Sequence, residues 1–155
     1  MSSTIAAQFD LHTRLFNNVL ADIADNESTK KANDNVNHIK WLAGHLVNTR
    51  LMMKDMAGLQ ADERFTPFGK TLDSSANYPS LEVIKTKWNE IAPKLSEALK
   101  NAPEGLLSSP SPAESPIGDN TMKGFLGFLM HHEAYHIGQL GILRKYAGKE
   151  AMKYN

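Results

Sequence analysis

Apolar residues recur along this chain at steps of three and four rather than two, the spacing that lines one face of an α-helix. Ile5, Phe9, His12, Phe16, Val19 and Ile23 place a first helix at about 4–25. A second, at about 34–57, takes Asn33 and Asp34 as capping residues and stops near Gly58. It carries two stripes: Ile39, Leu42, Leu46 and Met53 on one, and His38, Trp41, His45, Asn48 and Met52 on the other. A helix with two such edges touches two neighbours, as in a bundle. The third helix runs from about 80 to 101, opened by Ser80 and Glu82, with Leu81, Ile84, Trp88, Ile91, Leu95 and Ala98 as its stripe. Pro93 lies off that stripe and should kink the helix or start its second half. The last helix, about 121–147, aligns Met122, Phe125, Leu129, His132, His136, Leu140 and Leu143 and ends near Gly148.

No stretch alternates as a half-buried strand. The first connection, about 26–32, is short, which predicts that helices one and two are antiparallel. The other two, about 58–79 and 102–120, are long, and the latter holds Pro103, Pro110, Pro112 and Pro116. Twenty residues can run the length of a helix of about 35 Å. The expected fold is therefore all-α: a single domain over 1–155, a four-helix bundle running up-down-down-up with two long connecting loops.

Composition narrows the chemistry. Seventeen basic residues balance seventeen acidic ones, so no net field draws in a nucleic acid. With no cysteine there is no thiolate ligand or cysteine nucleophile, and any metal must sit on nitrogen and oxygen. The longest apolar run, Phe125 to Met130, is far too short to span a bilayer, and Met1 to Asp10 lacks the pattern of a signal peptide. A cytoplasmic location and a small-molecule substrate are the expectations.

Six histidines are the residues to explain. His132 and His136, four apart on one helix, point the same way one turn apart and replace two apolar residues of the stripe. Buried imidazoles need partners, which hydrogen bonds in the core or a metal ion would supply. His45 lies near the midpoint of helix two, and the pair straddles the midpoint of helix four. Helices packed antiparallel bring such midpoints to one height. His45, His132 and His136 are thus the predicted ligands of a divalent ion. Three nitrogens leave a coordination position open, the mark of a catalytic or substrate-binding site. Zinc, nickel, iron and manganese all accept imidazole. His12 is a pocket residue in reserve. His38 sits about 10 Å too far along the axis, and His131 is rotated by about 100°.

His132-Glu133-Ala134-Tyr135-His136 also fits HExxH, in which zinc peptidases use the glutamate to activate water. Such enzymes need a further ligand, and beyond His136 there is no histidine and Glu150 is the sole acid. Glu133 is still the candidate catalytic proton acceptor, with a solvent-facing helix glutamate as the plain alternative. Tyr135 and Gln139 are candidate pocket groups, and Trp41 should pack beside the site.

Two blocks, Asn37-His38-Ile39-Lys40-Trp41-Leu42-Ala43-Gly44-His45-Leu46 and His132-Glu133-Ala134-Tyr135-His136-Ile137-Gly138-Gln139-Leu140, together resemble the DinB/YfiT-like superfamily. The resemblance implies an up-down-down-up four-helix bundle, often a homodimer. It also implies a divalent metal on one histidine of helix two and an HxxxH pair of helix four, here His45, His132 and His136. Some relatives are thiol-dependent transferases or isomerases using bacillithiol, mycothiol or glutathione, and others are labelled metal-dependent hydrolases. A metal-dependent enzyme on a small molecule, with zinc or nickel and a low-molecular-weight thiol cosubstrate, is what this implies. The electrophile would lodge under the 102–120 loop. The alternative is a non-catalytic metal- or ligand-binding stress protein.

Overall fold

The computed structural model describes residues 2–59, 65 and 67–154. Among them every regular element is a helix: α1 (Ser2–Val19), α2 (Ile39–Met56), α3 (Leu81–Lys100), α4 (Glu104–Leu107) and α5 (Met122–Tyr146). None is long and apolar enough to cross a membrane. Most predicted stripe positions are buried, while His45, Asn48, Met52, Ala98, His132 and His136 are half-buried. On α5, Met122, Phe125, Leu129, Leu140 and Leu143 are buried, and on α3 Leu81, Ile84, Trp88, Ile91 and Leu95. Phe16 of α1 and Trp88 of α3 stack at 4.1 Å between ring centroids, both fully buried. Side chains of that size each contribute about 1.5–3 kcal/mol on burial.

α1 packs on α3 and α5, and α2 packs on the same two helices. Arg50 of α2 also reaches α1, donating to Thr13 Oγ1 and Phe9 O, but the link between these two helices departs from the expected one. Their connection is not short: it spans residues 20–38, because α1 stops at Val19 and α2 begins only at Ile39. The reason is local. Asp22 takes a left-handed conformation (φ 59°), which turns the chain out of the helix. The Arg144 guanidinium donates to the freed carbonyls of Val19 and Ala21. The connection is then tied down by the Asp25 carboxylate, which accepts from Leu81 N–H at 2.7 Å and lies 2.9 Å from Lys40 Nζ. Further along, Lys40 N–H donates to Ser28 O at 2.9 Å.

The helix starts follow capping chemistry. Ser80 Oγ accepts from Val83 N–H and Thr121 Oγ1 from Gly124 N–H. α2 begins five residues later than expected: the cap is His38, whose Nδ1 accepts from Trp41 N–H at 3.0 Å, and neither Asn33 nor Asp34. α3 runs unbroken through Pro93, and the short α4 inside the proline-rich connection buries Leu107. Pairs across the interfaces fix which parts of the helices meet. Asp10 lies 3.1 Å from Lys100, and Asn17 Oδ1 and Nδ2 meet the Asn89 amide. The Thr13 carbonyl accepts from Trp88 Nε1–H at 3.4 Å.

Gly44 positions the site. A Cβ there would fall 2.2 Å from the Phe68 ring, so only glycine lets that buried ring lie against α2. Asn48 clamps the same segment from one turn further on, donating to Phe68 O at 2.6 Å and accepting from Phe65 N–H at 3.1 Å. Gly69 is thereby held over the middle of α2.

Candidate metal centre

His45 projects from α2 and His132 and His136 from α5, and they meet where these helices pack. The Nε2 atoms of His45 and His132 are 3.2 Å apart, as are those of His136 and His132. Among the described residues these three side chains form the group able to hold a metal ion, with one ligand atom from each lying within 4.8 Å of the others. Bonds of roughly 2.0–2.1 Å in a tetrahedral site separate nitrogens by roughly 3.3 Å. The spacing fits.

Proton positions decide what the cluster is. His45 Nδ1 faces Gly69 O at 3.1 Å, and His136 Nδ1 faces Gln139 Oε1 at 2.7 Å. A carbonyl oxygen only accepts, so both Nδ1 atoms are N–H donors. Their Nε2 atoms then present lone pairs, as metal ligands require. The His132 Nε2 between them has either one hydrogen or one lone pair, and its own buried Nδ1 has no partner. One hydrogen cannot bond well to two facing lone pairs. A cation at the shared point satisfies all three nitrogens, whereas a hydrogen-bonded core does not.

Electrostatics keep the rings in the ligand state. Burial, helped by the neighbouring His136 and His45, pushes His132 down to about 4. Burial also lowers His45 and His136. Each of these shifts favours the neutral ring. Trp41 stacks on the His45 ring at 4.9 Å and 10° between planes, as expected of a residue packing beside the site. Tyr135 Oη accepts from Gln139 Nε2 at 3.2 Å, so a chain from Tyr135 through Gln139 fixes the His136 ring.

Glu133 faces neither solvent nor the three-histidine cluster. It is wholly buried, and its carboxylate accepts from Arg50 Nε at 2.8 Å and Nη2 at 3.0 Å and meets His12 Nδ1 at 3.2 Å. Arg50 also donates to Thr13 Oγ1 and Phe9 O, and its guanidinium lies 3.5 Å from the Trp88 ring centroid. Burial alone would raise the Glu133 pKa, but Arg50 and His12 outweigh it and hold it below the ordinary value. An anion engaged at both oxygens is poorly placed for the proton transfer expected of it. His12 is likewise hydrogen-bonded to Glu133 and does not line the cleft. Both charges had a sequence signal. Arg50 falls in the apolar stripe Ile39, Leu42, Leu46, Met53, and Glu133 falls among Leu126, Leu129, Ile137 and Leu140.

The cluster opens onto a cleft of about 420 Å³ walled by His45 and His132 with Met52, Phe125, Phe128 and Leu129. Gly69 and Lys70 complete it, so among the described residues the loop that lines it is the one carrying Gly69 and Lys70, not the 102–120 loop expected to cover substrate. Neither residue stood out in the sequence, because both lie outside any periodic stretch. His131 is exposed, and His38 is spent as the α2 cap.

A family model described as the DinB superfamily matches residues 8–140. No curated protein and no solved structure gives a significant match. The matched span covers most of the chain and contains His45, His132 and His136, so the chain belongs to the DinB superfamily.

Proposed function

We propose that this protein is a metal-dependent enzyme acting on a small molecule, by thiol S-transfer or hydrolysis. The observation that carries the reading is the convergence of three histidine Nε2 atoms at the inner wall of an open cleft. A divalent ion there, zinc or nickel first among the candidates, supplies Lewis acidity that lowers the pKa of a thiol or of water. The protein's own groups hold the ligands and shape the approach. Gly69 O and Gln139 Oε1 fix the tautomers of His45 and His136, Trp41 fixes the plane of His45, and the apolar wall excludes water from one side. In a chain without cysteine the nucleophilic sulfur comes from a low-molecular-weight thiol. Glu133 anchors Arg50 in this reading and takes no part in proton transfer.

The arrangement behind it is an up-down-down-up four-helix bundle. Supporting that order, early α1 meets late α3 (Asp10 with Lys100) and Asn17 meets Asn89. His12 meets Glu133 while Val19 meets Arg144. A homodimer is proposed as well, on the strength of the exposed Tyr135, Ile142 and Tyr146 on α5.

A second reading, a non-catalytic metal- or ligand-binding protein, is favoured by one feature: Asn48 and Thr49 in the cleft wall are occupied with backbone groups. The readings separate on incubation of metal-loaded protein with bacillithiol, mycothiol or glutathione and a reactive electrophile. Conjugate formation that disappears in His45→Ala, His132→Ala and His136→Ala supports the enzyme. Metal uptake with no conjugate from any thiol, and no hydrolysis of activated esters or amides, supports the binder.

A further inference from the structure

The wall of the cleft beside His45 and His132 divides sharply by chemistry. Met52, Phe125, Phe128 and Leu129 give it an apolar side, with the Phe125 and Phe128 rings 6.1 Å apart. Its polar groups are mostly spoken for. The Asn48 amide spans Phe65 N–H and Phe68 O, the Thr49 hydroxyl donates to His45 O, and Gly69 O takes the His45 Nδ1–H. What remains is Lys70 at the exposed rim, a cation with which no carboxylate pairs among the described residues.

We infer that the cleft takes an organic anion: a compact apolar body, of about the size of a substituted benzene ring, with a carboxylate or similar anionic group directed to Lys70. The size of the body follows from the volume, which at about 420 Å³ falls at the lower end of small-molecule sites. Its apolar character follows from the wall: a polar body would lose its hydration against Met52, Phe125, Phe128 and Leu129 and meet few free hydrogen-bonding groups in return. The anionic end follows from Lys70, a cation at the mouth with which no carboxylate among the described residues pairs. This inference names the substrate class of the proposed metal-dependent site and rests on that reading for its relevance to turnover. The binding itself needs only the cleft.

Direct binding tests it, with 3-phenylpropionate, its uncharged amide and propionate as probes. Each is titrated into metal-free and zinc-loaded protein and followed through backbone amide resonances. Zinc stoichiometry is measured separately by elemental analysis. In both forms 3-phenylpropionate should shift Lys70, Phe125 and Phe128 and bind about threefold to fivefold more tightly than its amide, the scale of one exposed ion pair. Propionate should bind more weakly than either. The margin over the amide should vanish in Lys70→Met, an exposed position whose replacement leaves the core untouched, and should shrink at high salt. Phe128→Ala should weaken both ring probes equally. Equal affinity for acid and amide, a margin retained in Lys70→Met, or no binding of any probe overturns the inference. So do shifts confined to the separate cleft lined by Gln139, Ile142 and Tyr146. A margin seen only with zinc also overturns it, since the carboxylate would then be reading the metal. Zinc uptake without probe binding defeats this inference and leaves the proposed function standing. Probe binding without zinc uptake does the reverse.

Discussion

His45 and His132, 87 residues apart in the chain, bring their Nε2 atoms to 3.2 Å. His136 Nε2 lies at the same distance from His132, so a single hydrogen on the His132 nitrogen could serve only one of its two neighbours. Two backbone-directed features make the meeting possible: Gly44 admits Phe68 against α2, and Gly69 O then orients the His45 ring.

Gln139 should matter to metal affinity without touching the metal. Its Oε1 fixes the His136 tautomer, so Gln139→Leu should weaken zinc binding roughly 10–100-fold, with little change in thermal stability. Competition with a chromophoric chelator measures this. Unchanged affinity would show that the His136 lone pair does not depend on that bond.

Gly44→Ala should cost both stability and metal. Its new Cβ meets the Phe68 ring at 2.2 Å, and the ring is buried, so relief requires Phe68 and the adjoining Gly69 to move. Overpacking of this kind costs about 1–3 kcal/mol, read from urea denaturation. The same shift withdraws Gly69 O from His45, so zinc affinity should fall as well. A destabilised variant with full zinc affinity would uncouple the two effects and refute the positioning argument.

Glu133→Ala should unfold the protein more readily than loss of any single histidine of the cluster. It strands the Arg50 guanidinium, which is 1% exposed, without its anion. Breaking a buried pair from one side costs about 3–5 kcal/mol. Chemical denaturation of the metal-free variants makes the comparison. A stable Glu133→Ala protein that binds zinc but has lost turnover would instead restore the catalytic role that HExxH suggests.

Asp25 should set part of the acid sensitivity. The Leu81 N–H first, and the Lys40 ammonium with it, hold its pKa below the ordinary 3.8. The folded protein therefore keeps this carboxylate ionised at a pH where the unfolded chain takes up a proton. Its contribution is complete above about pH 4 and drains away as the pH falls through the lowered folded value. Asp25→Asn should be less stable than the parent at pH 6, with the gap closing as the pH falls toward 2. A gap independent of pH would mean that the substitution disturbs packing and that the carboxylate's charge contributes nothing.

The helical class, the buried stripes of α3 and α5, and the three converging histidines were all legible in residue order. A 3.6-residue period writes the inner face of a helix directly into the chain, and i, i+4 spacing fixes His132 relative to His136. Other readings needed partners from elsewhere. The end of α1 depends on Asp22 and on Arg144 reaching from α5, so periodicity alone ran the helix on to about residue 25. His12, His38 and Glu133 are alike as polar residues on helical faces. Only packing separates them into a hydrogen-bond partner of Glu133, a helix cap and a buried anion held by Arg50. Gly69 and Lys70 carry no local signal, because an aperiodic segment acquires its place from what it packs against. Periodicity is a property of neighbours in the chain. Which charge meets which, and which carbonyl orients a ligand, are properties of neighbours in space, and those were decided when α2 and α5 packed together.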